Sequence, residues 1–187
     1  MISGSLRAGA ANTAALREAQ RYVQRGLTGT DAYFCSIGDL PLFDEDVEAM
    51  GWPPPVARLR REVDRADVLL ISTPEYNGSV SGVLKNAVDW LSRPDKAGPL
   101  AGKPVATMSA SPASFGAVWA QENLRFVLEQ CESTVVNDDL VSLPLILDAL
   151  DEAGELMPGP ETEKIHQLVD LIVARRWVCL QPNSRPA

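Results

Sequence analysis

The 187-residue sequence has a single histidine, three cysteines and no excess of positive charge. His166 stands in a helix-prone stretch with no cysteine or second histidine near it. A metal centre or a Ser/His/Asp triad therefore has almost nothing to be built from. Cys35, Cys131 and Cys179 are far apart, odd in number and form no Cys-x-x-Cys, so reduced thiols are expected. With 17 Lys and Arg against 25 Asp and Glu, the formal net charge is −8. No basic footprint exists for nucleic acid or an anionic membrane. No apolar run reaches the length of a membrane-crossing helix, and no charged-then-apolar leader opens the chain. The expectation is a cytoplasmic protein. Nucleotide fingerprints are also missing. There is no G-x-G-x-x-G, Gly98–Lys103 has the wrong spacing for a Walker loop, and no G-x-S-x-G marks a nucleophile elbow.

What is present is an ordinary core-forming composition, 45% hydrophobic and 22% charged. Apolar runs alternate with helical periods. Ala15, Leu16, Ala19, Tyr22 and Val23 share one face of a helix predicted from Asn12 to about Gln24. Ala32–Ile37 is a short β-prone run, and 39–46 reads as a loop. Pro53-Pro54-Pro55 opens a helix to about Arg65. Asp67–Thr73 is nearly all apolar, as suits a strand covered on both faces. A helix from Ser79 to Leu91, a strand at Pro104–Met108, a helix at Ala117–Cys131, a strand at Thr134–Asp138 and a helix at Glu161–Arg176 follow. The order (β)αβαβαβαβα predicts an α/β fold, a parallel sheet with helices on both faces. A single domain is expected over 1–180, with 181–187 a disordered tail. Only Met1-Ile2 precedes the first loop, which is short for a central strand. The expectation here is a start lying further upstream.

In such folds ligands sit beyond the carboxyl ends of the strands. Three loops reach that place. The first, Ser3 to Thr13, is rich in small residues and runs into a helix N-terminus. Ser5, Asn12 and Thr13 add donors and Arg7 adds a fixed charge, a set that suits phosphate. Equally, it reads as a plain loop with an Asn N-cap. The second, Thr73-Pro74-Glu75-Tyr76-Asn77-Gly78-Ser79, pairs a stiff proline with an Asn-Gly step that accepts positive φ. It can offer backbone groups to a planar heterocycle, or be a tight turn with a Ser79 cap. The third, Ser109 to Gly116, is polar and long enough to cover one side of a ligand, or is an ordinary surface loop.

G-S-L-R followed by Asn12, then P-E-Y-N-G-S, then L-K-N-A-V-D-W-L-S-R-P (84–94), resembles the NADPH-dependent FMN reductase family, which includes quinone, azo-dye and chromate reductases. F-G-A-V-W-A-Q-E-N-L-R (115–125) is similar to that family's third loop and helix. The resemblance spans roughly 3–143. It implies a flavodoxin-like fold with a five-stranded sheet in the order 2-1-3-4-5, bound FMN, and a homodimer or homotetramer with the helix of 79–93 toward the partner. It implies that Ser5, Arg7, Asn12 and Thr13 hold the FMN phosphate. Pro74, Glu75, Tyr76, Asn77 and Gly78 border the isoalloxazine, mostly through backbone atoms, and Ser109 to Gly116 close the other side. The implied activity carries hydride from NADPH or NADH to FMN and on to a small acceptor such as a flavin or quinone. It requires no side chain as acid or base. Two alternatives stay open, a one-electron flavodoxin carrier and a degenerate member that no longer holds FMN. Three positions depart from the family pattern: Ala10 in place of a serine, Ser81 in place of a proline, and Ala117 in place of a glycine.

Overall fold

The computed structural model describes the backbone of residues 1–179 and the side chains of residues 1–175; the expected tail at 181–187 lies outside the described residues. β1 (Ile2–Ser3) leads through the first loop into α1 (Ala11–Gly26). A long excursion carries α2 (Glu45–Ala49) and α3 (Pro54–Arg65) before β2 (Leu69–Thr73). Then come α4 (Gly82–Leu91), β3 (Pro104–Ala110), α5 (Val118–Gln130), β4 (Thr134–Val135), β5 (Val141–Leu143), a 3-10 turn at Ile146–Ala149, and α6 (Pro160–Cys179). Every ladder is parallel. The order is β1-β2-β3-β4, with β5 also on β3.

Two cores flank the sheet, and alternation along β2 assigns its side chains to them. Leu69 and Ile71 pack with Leu59 and Val63 of α3, Leu84 and Val88 of α4, and Leu124 and Leu128 of α5. Leu70 points the other way, into a core with Leu16 and Ala19 of α1 and Ile165, Leu168 and Val169 of α6. A period of two on a strand sends neighbours to opposite faces, and here both faces are covered. All five residues of β2 are therefore buried, which is why the stretch reads as an unbroken apolar run.

Several expectations are corrected in detail. Ala32–Ile37 is extended but forms no ladder. It touches β1 through the Cys35 N–H, which donates to the Met1 carbonyl at 2.9 Å. Two residues of β1 offer too little backbone to hold a second strand, so the sheet is seen without the outermost member of the 2-1-3-4-5 order. Of the strand predicted at Thr134–Asp138 only Thr134–Val135 forms a ladder, as β4, and β5 follows separately at Val141–Leu143. Asn137 causes the break: its Oδ1 accepts from the Thr107 N–H at 2.9 Å and its Nδ2 donates to the Thr107 carbonyl at 3.0 Å. A side-chain amide there replaces the backbone of a neighbouring strand. The stretch 39–46 is not all loop, because Asp44 caps α2 by accepting from the Asp46 N–H at 2.8 Å. Finally, α4 starts at Gly82, not Ser79, because 76–79 forms a hairpin first.

One polar cluster ties α1 to α6. The buried Glu18 carboxylate meets His166 Nε2 at 2.8 Å and Arg21 Nη2 at 2.7 Å. Tyr22 stacks on the His166 ring at 4.0 Å, and Arg21 also pairs with Glu155. Burial pushes the Glu18 pKa up, but hydrogen bonds from His166 and Arg21 outweigh it, and the net shift is downward. A lowered carboxylate stabilises the fold above its unfolded pKa and loses that contribution as pH falls through its folded pKa. Glu18→Gln is thus expected to lower the melting temperature at pH 7. The gap to the parent closes as the pH drops below the ordinary glutamate range, about 4.3. Paired thermal melts from pH 7 to 3 check this.

Candidate functional site

The carboxyl ends of β1, β2 and β3 bring the three loops together, and short contacts lock them to one another. Gly4 continues β1, its N–H donating to the Ser72 carbonyl at 2.8 Å. A Cβ at Gly4 would lie 2.9 Å from Pro74 Cδ and 3.1 Å from Leu84 Cδ2. Glycine is what lets the first loop approach the second. Ser81, on the N-terminal side of α4, donates to the Gly4 carbonyl at 2.6 Å and accepts from the Leu84 N–H at 3.4 Å. The residue that departs from the family's proline is therefore both a helix cap and a clamp on the first loop.

Asn12 lies at the centre of this junction and is buried. Its Oδ1 accepts from Ser72 Oγ at 2.7 Å and from the Ala110 N–H at 3.1 Å, and its Nδ2 donates to the Ala110 carbonyl at 2.9 Å. One side chain thus joins α1 to the ends of β2 and β3. It does not cap α1, whose N-cap is Ala10 with no side-chain hydrogen bond. No acidic residue stands in the first turn either.

The other first-loop residues surround that open helix end. Thr13 Oγ1 shares a hydrogen bond with Ser3 Oγ at 2.8 Å, and the Ser5 N–H donates to Ser3 Oγ at 3.3 Å. Arg7 is exposed, and its guanidinium has no partner among the described residues. Gly9 stands at φ +68° with open space where a Cβ would be. The donors fit a phosphate. A 16-residue helix presents uncapped N–H groups and the positive end of its dipole. Two hydroxyls and an unpaired guanidinium lie in the same loop.

The second loop is a two-residue hairpin. Tyr76 and Ser79 exchange backbone hydrogen bonds at 3.0 and 3.1 Å, with Asn77 at φ 54° and Gly78 at φ 73°. Positive φ at both central positions is the geometry that Asn-Gly favours. Tyr76 projects outward, 59% exposed. Glu75 turns away from the loop: its carboxylate accepts from the Ala120 N–H at 3.2 Å, at the start of α5. Ser79 Oγ donates to Asn123 Oδ1 at 2.8 Å. These two contacts bind the second loop to the helix that follows the third. Ser79 therefore braces α5 and does not cap α4.

In the third loop Ser109 is wholly buried. Its Oγ donates to the Gly116 carbonyl at 2.7 Å and meets Gln121 Oε1 at 3.2 Å. Ser142 Oγ donates to the same carbonyl at 3.0 Å. Gly116 and Ala117 both stand at positive φ, 63° and 61°. They turn the chain sharply into α5, leaving Phe115 and Trp119 outside as a stacked exposed pair, 5.4 Å between centroids.

Sequence reasoning missed Ser72, Gln121 and Ser142, and it placed Ser3 in the first loop and Ser81 among the departures from the family pattern without giving either a contact. Their positions at strand ends or helix starts were a signal for all five. Among the predicted residues, Ser5, Arg7, Asn12 and Thr13 do come together, as do Pro74 to Gly78 and Ser109 with Gly116. The side chains of Asn12, Glu75 and Ser109 are spent on holding the loops.

An open parallel α/β sheet with three loops gathered at the carboxyl ends of its strands defines a flavodoxin-like fold. The sequence matches the profile of the NADPH-dependent FMN reductases over residues 1–148, and the chain belongs to that family. It is 42% identical over 177 residues to an NAD(P)H-dependent FMN reductase of Pseudomonas aeruginosa, covering 95% of this chain and 92% of that one. It is also 42% identical over 125 residues to a quinone reductase of Escherichia coli, 65% of either chain. Among solved structures it is similar to the flavoenzyme NAD(P)H:(acceptor) oxidoreductase FerB of Paracoccus denitrificans. That match has TM-score 0.78, 30% identity and 95% coverage of both chains. The chain is an oxidoreductase of this type. No described helix is long and apolar enough to cross a membrane.

Proposed function

We propose that the three loops hold FMN and that the protein reduces it with NAD(P)H, then passes the electrons to a small planar acceptor such as a quinone or free flavin. When bound, FMN supplies the two-electron chemistry. The chain's own residues bind and orient. The uncapped start of α1, with Ser5, Arg7 and Thr13, receives the phosphate, and Asn12 adds its backbone N–H while its side chain fixes the loop. The hairpin at 76–79 offers peptide groups to the ring edge, and Tyr76 shapes the side on which donor and acceptor alternate. The buried Ser109 holds the third loop at a fixed height. No side chain is assigned as acid or base. The observation that carries this reading is the helix start left without cap or acid, beside an unpaired arginine.

The test is a visible absorbance spectrum after incubation with FMN, recorded before and after NADPH without oxygen. Flavin bands that bleach support the reductase reading. Bands that persist point to an electron carrier, and their absence to a protein that no longer holds FMN. Arg7→Ala is expected to weaken FMN retention by about tenfold or more, the value of one lost charged hydrogen bond. Its melting temperature should match the parent, since the Arg7 guanidinium has no partner among the described residues and the backbone bond from Ala10 to the Arg7 carbonyl is kept. Unchanged retention would sink the phosphate assignment.

A homodimer or homotetramer in the cytoplasm completes the proposal. It is supported by Leu42 and Met50, both more than 80% exposed on the excursion before β2. Covering these two side chains against a second copy would remove their apolar surface from water, which favours association. Light scattering on the purified protein gives the assembly size.

A further inference from the structure

The mouth of the three-loop site carries two large rings that take no part in holding the loops together. Phe115 is 65% exposed and Trp119 is 53% exposed. They stack on each other, 5.4 Å between centroids and 24° between planes. Their backbone is braced on both sides. The Gly116 carbonyl between them accepts from Ser109 Oγ and Ser142 Oγ at 2.7 and 3.0 Å. The Val118 N–H donates to the Phe115 carbonyl, and the Leu145 N–H to the Ala113 carbonyl, both at 3.3 Å. Two rings with few torsions on a braced loop lose little freedom when a flat molecule settles on them.

Contacts with the second loop set this pair at the same mouth as the hairpin. Glu75 reaches the N–H of Ala120, the residue after Trp119, at 3.2 Å, and Ser79 Oγ reaches Asn123 at 2.8 Å. The exposed Tyr76 leaves the hairpin between those two braces. Charge is a second, independent observation. Residues 109–119 contain no charged side chain, 73–79 only Glu75, and 3–13 only Arg7. Glu75 is turned onto α5, and Arg7 is assigned to phosphate. The next charge along α5 is the exposed Glu122, three residues beyond Trp119 and on its side of the helix. An anionic acceptor therefore meets ring faces, which are negative, and a carboxylate. A flat uncharged acceptor meets apolar surface that gains from being covered.

We propose that Phe115 and Trp119 select the electron acceptor. Together they hold the outlying ring of an uncharged acceptor with fused rings, while its reducible ring enters between the loops. This inference rests on the reading of the three loops as a flavin site. It goes further by separating fused-ring quinones from single-ring quinones and from anionic acceptors. The net reaction balances: NAD(P)H, a quinone and one solvent proton give NAD(P)+ and the hydroquinone. One nicotinamide C–H bond breaks, two O–H bonds form, and two electrons pass from nicotinamide to quinone.

The probes are dimethoxynaphthoquinone, with two fused rings, and tetramethylbenzoquinone, with one. Both have a fully substituted quinone ring, which closes it to thiol addition. Trp119→Ala is expected to lower the ratio of kcat/KM for the two-ring probe over the one-ring probe by about tenfold, through KM, the size of a lost aromatic contact with its area. Equilibrium dialysis of the naphthoquinone against FMN-loaded protein, without NAD(P)H, should show the same loss of affinity. Trp119→Phe keeps a ring and is expected to restore most of it. Phe115→Ala should cost about threefold, because Trp119 then lacks its stacking partner.

No loss in Trp119→Ala, or an equal loss with both quinones, overturns the proposal. So does a change of assembly size in that variant on light scattering, which would give the pair to a second copy. Failure of the flavin reading is seen separately, as flavin bands that are absent or do not bleach with NADPH before any acceptor is added. Dialysis then decides alone, and equal naphthoquinone affinity in the parent and Trp119→Ala overturns the ring pair.

Discussion

Asn12→Ala is expected to lower the melting temperature by about 10 °C or more, the largest effect of any single polar substitution in the loop region. The change removes three hydrogen bonds at once and leaves the Ser72 hydroxyl and both backbone groups of Ala110 without their partner. Each such buried group costs roughly 1–3 kcal/mol when unsatisfied. Because they share one void and a water can enter it, the costs do not add fully; about 3–5 kcal/mol is the expected sum. For a chain of this size a loss of 1 kcal/mol moves the melting temperature by about 2–4 °C. Ser72→Ala is the control. It removes one of the three bonds, leaves Asn12 tied to Ala110, and should cost about 1 kcal/mol. The double variant should be little worse than Asn12→Ala alone, since the partner of Ser72 is already gone. Full additivity in that cycle overturns the shared-junction account. FMN affinity is expected to fall with Asn12→Ala, because the first and third loops lose their common anchor.

Gly116→Val should be nearly as damaging, by steric means. A Cβ there lies 1.9 Å from Ser142 Oγ and 3.1 Å from the Pro144 nitrogen, at a φ of +63°. Left-handed backbone alone costs an L-residue roughly 1–2 kcal/mol, more when β-branched. Ser142 must also rotate away and give up its bond to the Gly116 carbonyl. A total of about 3–4 kcal/mol is expected. The two parts separate cleanly. Gly116→Ala combined with Ser142→Ala removes the contact with the hydroxyl but not the backbone strain. That pair should recover part of the loss seen in Gly116→Ala. Thermal melts measure the stability, and equilibrium dialysis with FMN shows whether the third loop still closes. No recovery in the double variant would place the whole cost in the backbone and remove Ser142 from the account.

The two substitutions share a lesson about reading sites from sequence. Asn12, Glu75 and Ser109 all stand on the loops expected around the ligand, and all three spend their side chains on protein. Chemistry alone cannot separate the two uses. A carboxamide or a hydroxyl at a strand end serves equally well as ligand donor or loop brace. What decides is whether a backbone group from another segment stands within hydrogen-bond reach. Ala110 is 98 residues from Asn12, and Ala120 is 45 from Glu75. Arg7 differs: it is exposed, and its guanidinium has no partner among the described residues.

The sequence by itself determined the α/β class, the parallel sheet and the turn at Asn77-Gly78. Those rest on local physics, the two-residue and 3.6-residue periods of burial and the positive φ that Asn-Gly accepts. It also determined family membership, through motifs whose spacing is a property of the chain alone. Only the tertiary structure decided where the last strand breaks, since Asn137 interrupts it by bonding to Thr107 across the sheet. It alone showed Ser81 as the clamp on Gly4. These features depend on pairs of residues distant in sequence, and a hydrogen bond between them exists only once the strands have fixed their separation.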